Sequence, residues 1–226
     1  MRLLAIDTSH TENFSLAISE DYKILASKES HLNAVLSNSI IQQIDQLLKK
    51  ANLKLHQLDG FVVGLGPGSF TSLRVGLSTI KAFCMATKRP LIGISSLDAL
   101  AMNTHYDGQV CTLLDAKRNL IYACLYDKKK GKLVRKSDYV LTSLEEFIKK
   151  IKGEVMFIGD GINMSKAALS NHKENKLFKF EKKENWFPKA SYLVPLGRKR
   201  FEKKNFDDVS KLVPLYLYPA DCQVRR

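Results

Sequence analysis

The chain opens with a pattern that is typical of strands joined by tight turns. Residues 1–6 form a short apolar run, and a polar turn follows at 7–10. Apolar and polar side chains then alternate over 14–18, which predicts an antiparallel partner strand. Residues 22–28 are interpreted as a third strand. The chain is therefore predicted to begin with a small antiparallel sheet.

The next segment, 34–51, has the periodicity of an amphipathic helix. Its apolar positions at helical spacing are Leu36, Ile40, Ile44, Leu47 and Ala51. Val35, Ile41 and Leu48 lie outside that stripe, so the apolar surface is wider than one packing face requires. Two explanations stay open at this point. The helix has a second partner, or it is enclosed within its own core.

The most informative segment runs from Phe61 to Gly76. An apolar run over 61–65 predicts a strand buried on both faces, and a glycine turn and a helix follow it. Such a strand, turn and helix N-terminus can cradle an anion or a nucleotide. Small residues four apart, Ser72 and Gly76, also let another helix approach closely. The segment therefore supports both a phosphate site and a helix-docking face.

The second half repeats this order of elements. A polar, turn-rich stretch is interpreted as the boundary, which gives two domains, 1–104 and 105–226. Each half opens on strands and then alternates helix and strand, and an acidic residue, Asp7 or Asp115, follows each first strand. Two such halves are typical of the duplicated actin-like ATPase (ASKHA) fold, an α/β fold with a mixed sheet flanked by helices in each lobe.

Three further elements are predicted in the second half. Thr142 and Glu145 have the spacing of a capping box, which predicts a helix of about ten residues. Residues 171–188 are charged and irregular, and 190–204 are predicted to be helical, with Pro195 as a kink or a late start.

Charge is unevenly distributed along the chain. Residues 1–113 contain 10 Lys/Arg and 9 Asp/Glu, whereas residues 114–226 contain 26 and 14. Basic runs at 128–130 and 198–200 contribute to this excess. They are interpreted either as solvated faces and turns or as a phosphate-attracting surface that helps a complex to hold RNA.

Cysteine usage and hydropathy indicate a cytosolic protein. Cys84, Cys111, Cys124 and Cys222 lie in apolar contexts without Cys-x-x-Cys spacing and are interpreted as reduced core thiols. No apolar run approaches the roughly 18 residues of a membrane span. Asp7 interrupts the N-terminal apolar run too early for a signal peptide. No membrane association is expected.

Glycines and turn residues supply the candidate nucleotide site. Its residues are Asp7, Thr8, Gly66, Gly68, Gly159 and Gly161. Asp7 and Thr8 would position a metal-bound water or a phosphate, and the glycines would bring backbone N–H groups close to it. An ordinary strand-to-turn junction explains the same residues, so both interpretations stay open.

Catalytic and metal-binding patterns are not found in the sequence. None of the five histidines lies three or four residues from another, so no helix presents a histidine pair to a metal ion. Gly68-Ser69-Phe70 is not the Gly-x-Ser-x-Gly turn of a serine nucleophile. No catalytic residue and no metal ligand is therefore predicted.

Several blocks of the sequence resemble the TsaB (YeaZ) family of accessory subunits. These are Leu4-Ala-Ile-Asp-Thr-Ser9, Gly66-Pro-Gly-Ser-Phe-Thr-Ser-Leu-Arg-Val-Gly-Leu77, Gly93-Ile-Ser-Ser-Leu-Asp-Ala-Leu-Ala101, Leu114-Asp-Ala-Lys-Arg118, Ile121-Tyr122 and Pro214-Leu-Tyr-Leu217. The likeness is strong over residues 1–125 and weak over 126–210. Ser72 stands where the family usually has glycine.

The resemblance implies an actin-like, two-lobed fold and a subunit without catalysis of its own. It implies a direct heterodimer with the catalytic paralogue TsaD, cooperation with the ATPase TsaE, and contact with tRNA through the complex, which modifies adenosine 37 of tRNA. It implies no cofactor for this subunit, with ATP or ADP possible at the interface of the complex. The same helices allow a homodimer when TsaD is absent.

In the family, two helices of the first lobe pack against TsaD. The positions of this chain that would line them are Leu36, Ile40, Leu47, Ser72, Val75, Gly76, Thr79 and Phe83. Replacement of Gly76 by Arg is expected to abolish that contact and leave the fold intact. The alternative function is an autonomous ATP-dependent phosphotransferase of the actin-like superfamily, which would need a well-formed phosphate site at Asp7, Thr8, Gly66 and Gly159. A metallopeptidase is disfavoured, because the histidine pair is missing.

Overall fold

The computed structural model describes residues 1–31, 36–172 and 175–218, and the chain divides into two units. The first unit comprises Met1–Ala99 and Pro188–Leu215, and the second comprises Leu100–Phe187 together with 216–218. The predicted domains, 1–104 and 105–226, therefore miss a return of the chain: 188–215 belong to the first unit. Sequence order alone does not reveal such a return, because it depends on packing between segments that are distant in the chain.

The elements follow in chain order. The first are β1 (Arg2–Asp7), β2 (Asn13–Glu20), β3 (Lys23–His31), α1 (Leu36–Lys50), β4 (Gly60–Gly64), α2 (Phe70–Thr87), β5 (Leu91–Ile94) and α3 (Ser96–Met102). Then come β6 (Gly108–Asp115), β7 (Ile121–Lys129), β8 (Lys132–Arg135), β9 (Val140–Thr142), α4 (Leu144–Ile148), β10 (Val155–Ile158), α5 (Gly161–Asn171), β11 (Phe178–Phe180) and α6 (Ala190–Glu202).

The two sheets share one topology. The first has the order β3-β2-β1-β4-β5, and the second has the order β11-β10-β6-β7-β8, with β9 paired to β7. In each, the first strand of the unit has an antiparallel neighbour on one side and a parallel neighbour on the other. This repeat of two mixed sheets flanked by helices confirms the duplicated actin-like α/β fold.

Strand β1 forms the centre of the first unit because both of its faces are apolar. Leu4 and Ile6 lie in the core cluster that includes side chains of α1 and α2. Leu3 and Ala5 lie in the cluster on the opposite face, which includes side chains of α6. Alternate side chains of a strand point to opposite faces, so β1 is covered by helices on both sides.

Helix α1 is enclosed in its own core. Leu36, Ile40, Ile44 and Leu47 are buried, and Leu48 is buried beside them, which accounts for the wide apolar surface. Ile41 is 60% exposed. The predicted start at residue 34, together with Val35, lies outside the described residues.

Two predicted elements differ from the structure. Helix α4 has five residues and is capped by Ser143, whose side chain accepts a hydrogen bond from the Glu146 N–H. The predicted cap, Thr142, ends strand β9 opposite Ile121, so it is not free to cap a helix. Strand β11 lies within 171–188, the segment that the sequence predicts to be irregular. It has only three residues, which pair in parallel with β10, and so short a strand leaves little pattern in the sequence.

Helix α6 begins at Ala190 and runs through Pro195, so Pro195 does not mark a late start of the helix. Cys84, Cys111 and Cys124 are free and buried, and burial raises the pKa of Cys84 to about 12. Cys222 lies outside the described residues. Within the described ranges, no helix combines the length and the hydropathy needed to cross a membrane.

Adjacent isoleucines on α1 provide a matched test of this packing. Ile40→Ala is expected to lower the free energy of unfolding by about 2–4 kcal/mol, because it leaves a cavity in a closed core. Ile41→Ala is expected to change it by less than about 0.5 kcal/mol, because that side chain is exposed. Urea unfolding of both variants measures the difference, and equal costs would contradict the assignment of the buried face.

Candidate functional site

The ends of three parallel strands bring the candidate residues of the first unit together. Strands β1, β4 and β5 are parallel neighbours, so their carboxyl ends lie at the same edge of the sheet. Asp7 ends β1, Gly66 follows β4, and Ser96 follows β5. In open α/β sheets, this edge is where ligands usually bind. The Asp7 cluster is defined here as Asp7, Ser9, Gly66 and Ser96.

Hydrogen bonds occupy both carboxylate oxygens of Asp7. The backbone N–H and the hydroxyl of Ser9 donate to Oδ1 at 2.9 and 2.6 Å, and the Ser96 hydroxyl donates to Oδ2 at 2.6 Å. The Ser96 hydroxyl also accepts from the Gly66 N–H at 3.0 Å. The Ser96 N–H donates to the Gly66 carbonyl at 2.8 Å. The cluster is therefore satisfied by groups of the chain itself.

The cluster is also closed to solvent. Asp7, Thr8 and Ser9 are each 1% exposed. Burial raises the pKa of Asp7 above its ordinary value of 3.8, and hydrogen bonds from Ser9 and Ser96 oppose that shift. A carboxylate that orders a metal-bound water or a phosphate needs a free oxygen facing the ligand. In this structure, Asp7 acts as a structural bridge between strand ends.

The glycine turn after β4 is folded onto the turn after β1. A Cβ atom at Gly68 would lie 2.1 Å from the carbonyl oxygen of Ser9, so only glycine permits this approach. The Ser69 N–H donates to the same oxygen at 2.7 Å. This N–H would otherwise be one of the donors that a helix N-terminus offers to a phosphate. The turn therefore uses its glycine and its donor for packing inside the unit.

Helix α2 contacts the same turn through its small residues. The Thr8 hydroxyl donates to the Ser72 carbonyl at 2.8 Å. A Cβ atom at Gly76 would lie 2.3 Å from the Thr8 Oγ1. The prediction that Gly76 contacts a partner helix is therefore wrong, because Thr8 of the same chain fills that place. Gly76→Arg would disrupt the fold and is unsuitable as a test of docking.

The predicted docking stripe of α1 is also wrong. Leu36, Ile40 and Leu47 are at most 6% exposed, because they form the face that packs on the sheet. A partner has no access to them without unfolding of the helix.

The other predicted docking residues, Ser72, Val75, Thr79 and Phe83, are half-buried on α2. The ring of Phe83 lies 6.1 Å from that of Phe61, and the Thr79 hydroxyl donates to the Val75 carbonyl at 2.8 Å. Their remaining exposed surface is open to a partner, and their role in docking stays a prediction.

The structure shows which apolar side chains of these two helices face solvent. Ile41 of α1 is 60% exposed, and Phe70 and Met85 of α2 are 53% and 75% exposed. Helices α1 and α2 contact each other. These three side chains are named the helix surface.

Gly159 and Gly161 belong to the second unit. A Cβ atom at Gly159, whose φ is +122°, would lie 2.1 Å from the Leu113 carbonyl oxygen. Gly161 approaches the same residue. Close packing of this turn on β6 accounts for both glycines. The structure thus brings Asp7, Thr8, Gly66 and Gly68 together within the first unit.

Sequence reasoning missed Ser96 as a member of the cluster. In the chain, 89 positions separate Ser96 from Asp7. No local pattern signals such a pairing. The parallel order of β1, β4 and β5 would have indicated it, since it places all three strand ends at one edge. Within the described residues, no group of three or more His, Cys, Asp or Glu could hold a metal ion.

Sequence and structure comparisons both relate the chain to proteins named TsaB, YeaZ or TsaD. A family model described as TsaD, a tRNA N6-adenosine threonylcarbamoyltransferase, matches residues 32–222. The tRNA threonylcarbamoyladenosine biosynthesis protein TsaB of Bacillus subtilis is 29% identical over 229 residues, which cover 100% of this chain and 97% of the relative. The protein of the same name from Haemophilus influenzae is 28% identical, covering 96% and 93%.

Solved structures show the fold. YeaZ from Pseudomonas aeruginosa has a TM-score of 0.83 with 20% sequence identity, covering 96% of this chain and 99% of that chain. A second structure from the same species gives the same values and is described as an uncharacterized protein with similarity to peptidase YeaZ.

Neighbouring serines test the hydrogen bonds of the Asp7 cluster. Ser96→Ala removes a donor to Asp7 and the acceptor for the Gly66 N–H, so a loss of about 2–5 kcal/mol in unfolding free energy is expected. Ser95→Ala is the control. The Ser95 hydroxyl donates to the Gly66 carbonyl, which keeps the Ser96 N–H, and accepts from the Leu97 N–H at 3.3 Å. Neither partner is charged, so a smaller loss of about 1–2 kcal/mol is expected. Urea unfolding compares the two, and a larger loss for Ser95→Ala would contradict the network.

The Asp7 carboxyl also predicts a pH dependence. Because its pKa is higher in the folded chain than 3.8, its contribution to stability is full below about pH 3.8 and is lost as pH rises through the folded pKa. The unfolding free energy of the wild type minus that of Asp7→Asn is therefore expected to fall with rising pH and then level off. Urea unfolding of both proteins over a pH series measures this difference. An increase with pH would show that the folded pKa is lowered.

Proposed function

Since the chain belongs to the TsaB/YeaZ branch of the TsaD threonylcarbamoyltransferase family, we propose that it is a non-catalytic subunit that docks onto a TsaD partner. Its family gives it a role in the biosynthesis of threonylcarbamoyladenosine in tRNA. In the proposed complex, TsaD catalyses the transfer, TsaE is the ATPase, and tRNA binds to the assembly. Full-length similarity to the TsaB proteins is the observation that carries this proposal.

The closed Asp7 cluster supports the non-catalytic role. Asp7 is buried, its Oδ1 accepts a hydrogen bond from the Ser9 hydroxyl, and its Oδ2 accepts one from the Ser96 hydroxyl. Phosphoryl transfer depends on positioned charges that contact the phosphates and their metal ion. An autonomous phosphotransferase would need Asp7 and Thr8 to face a nucleotide, whereas here Thr8 bonds to Ser72. These contacts favour the subunit over the phosphotransferase.

The helix surface supports docking. Ile41, Phe70 and Met85 expose apolar side chains on two helices that contact each other. The Arg74 guanidinium lies 3.7 Å from the centroid of the Phe70 ring, which places a cation beside this apolar surface. A specific heterodimer buries about 800 Å² per partner, and a few central apolar anchors supply most of its affinity. Apolar anchors with a neighbouring arginine match that composition.

Reconstitution tests the function. The purified chain, a TsaD partner, TsaE, threonylcarbamoyl-adenylate and an unmodified tRNA transcript are combined, and each protein is omitted in turn. Modified adenosine is expected only when this chain and TsaD are both present. Modification by this chain without TsaD, or full activity without this chain, would refute the proposal. ATP turnover by the isolated chain would instead support the phosphotransferase.

Substitutions to glutamate on the helix surface, with a matched control on another helix, test the docking proposal. Met85→Glu and Ile41→Glu are expected to weaken TsaD binding by more than roughly tenfold, because a charge would be desolvated within an apolar contact. Met164→Glu is the control, since Met164 is 45% exposed on helix α5 of the second unit. Calorimetry with TsaD measures the affinities, and circular dichroism checks the fold. Equal affinities for Met85→Glu and the wild type would place the interface elsewhere.

A further inference from the structure

The two basic runs of the sequence differ in how their side chains are paired in the structure. In the run at 198–200, Arg198 pairs with Asp21 at 2.8 Å and with Glu202 at 2.9 Å. Arg200 pairs with Asp207 at 3.0 Å and donates to the Gly93 carbonyl at 2.9 Å. These two arginines therefore hold elements of the first unit together.

Two lysines of the other run, Lys129 and Lys130, lie at the tip of the β7–β8 hairpin in the second unit. The hairpin tip is defined as Lys129, Lys130, Gly131 and Lys132. All three lysines are exposed, and within the described part of the chain no carboxylate pairs with their ammonium groups. A Cβ atom at Gly131 would meet no atom within 4 Å. The tip therefore projects into solvent with three free cations.

The register of the hairpin places like charges together. Lys129 and Lys132 are direct partners across the β7–β8 ladder, so their side chains lie on the same face. Like charges directly opposite each other destabilise a strand pair. A lysine on an edge strand protects the strand against aggregation, and Lys132 on the edge strand β8 is enough for that purpose. Edge protection therefore does not account for Lys129 and Lys130.

Polar contacts within the second unit hold the hairpin in place. Lys128 is buried, and its ammonium group donates to the carbonyl oxygens of Thr104 and Met102. The backbone N–H of Lys130 donates to both carboxylate oxygens of Asp107 at 3.1 Å. This carboxylate therefore anchors the backbone of the turn. The free lysines are presented on a hairpin whose position is fixed before a ligand binds.

We propose that the hairpin tip binds the phosphodiester backbone of the tRNA that the complex modifies. The inference rests on the proposed function. A convex two-residue turn has no pocket that could enclose a small nucleotide, whereas it can lie against a phosphate backbone. Lysine ammonium groups act as point charges on phosphates and position nucleic acid without reading its sequence. The contact therefore contributes affinity and helps to position the tRNA, and it does not recognise bases.

The test compares two triple variants with the same change in charge. Lys129→Gln/Lys130→Gln/Lys132→Gln removes the three tip charges, and Lys149→Gln/Lys150→Gln/Lys152→Gln removes three exposed charges after α4. Each protein is assembled with TsaD and TsaE, and binding of an unmodified tRNA transcript is measured by fluorescence anisotropy over a range of salt concentrations. Capture by TsaD is measured in parallel.

Loss of three phosphate contacts is expected to reduce the slope of log affinity against log salt by about 2–3 and to weaken binding on the order of 10- to 100-fold at 0.1 M salt. The KM for tRNA is expected to rise with kcat unchanged. The control should shift the slope by less than about 1. Equal shifts in both variants, or none in the tip variant, would overturn the proposal.

Parallel capture by TsaD separates the two proposals. If the wild type and the tip variant are captured equally and the salt slope is unchanged, the hairpin proposal fails and the proposed function stands. If the tip variant loses capture while the salt slope of the assembled complex is unchanged, the lysines bind an acidic protein surface, and the RNA proposal fails. If TsaD does not capture the wild type, the proposed function fails, and the hairpin proposal fails with it.

Discussion

The buried carboxylate of Asp7 is the interaction on which the first unit depends. It accepts hydrogen bonds from Ser9 and Ser96, and Ser96 in turn bonds to Gly66. Because these residues follow three different strands, one side chain fixes the carboxyl ends of β1, β4 and β5 relative to one another. Burial of an acid costs free energy, and three donors offset that cost.

The same interaction decides what the glycine turn does. With the strand ends tied together, the turn after β4 folds onto Ser9, and Thr8 reaches Ser72 and Gly76 of α2. Small residues are required because backbone and side chain approach to within van der Waals contact. A motif that a nucleotide-binding protein would use for a phosphate here sets the position of a helix. The outward face of that helix is then available to another protein.

The two proposed binding surfaces lie on different units. The exposed apolar side chains of α1 and α2 lie in the first unit, whereas the free lysines of the β7–β8 hairpin lie in the second. Their chemistry suits different partners, since apolar surface is desolvated against protein and separated cations attract phosphates. Under the proposed function, the chain contributes contacts to an assembly, and the reacting groups come from TsaD.

The sequence by itself determined most of the elements, their repetition in two halves and the family, because periodicity, turn residues and long motifs are local. It also indicated that the apolar surface of α1 is wider than one packing face requires. Only the tertiary structure decided that Leu36, Ile40 and Leu47 point inward and that Ile41 points outward. It likewise decided that Thr8 fills the place beside Gly76 and that Ser96 completes the Asp7 cluster. It also decided that Arg198 and Arg200 form ion pairs, whereas the lysines of the hairpin tip have no carboxylate partner among the described residues. Each of these depends on residues that are distant in the chain and meet only when the sheets form, so no local pattern contains them.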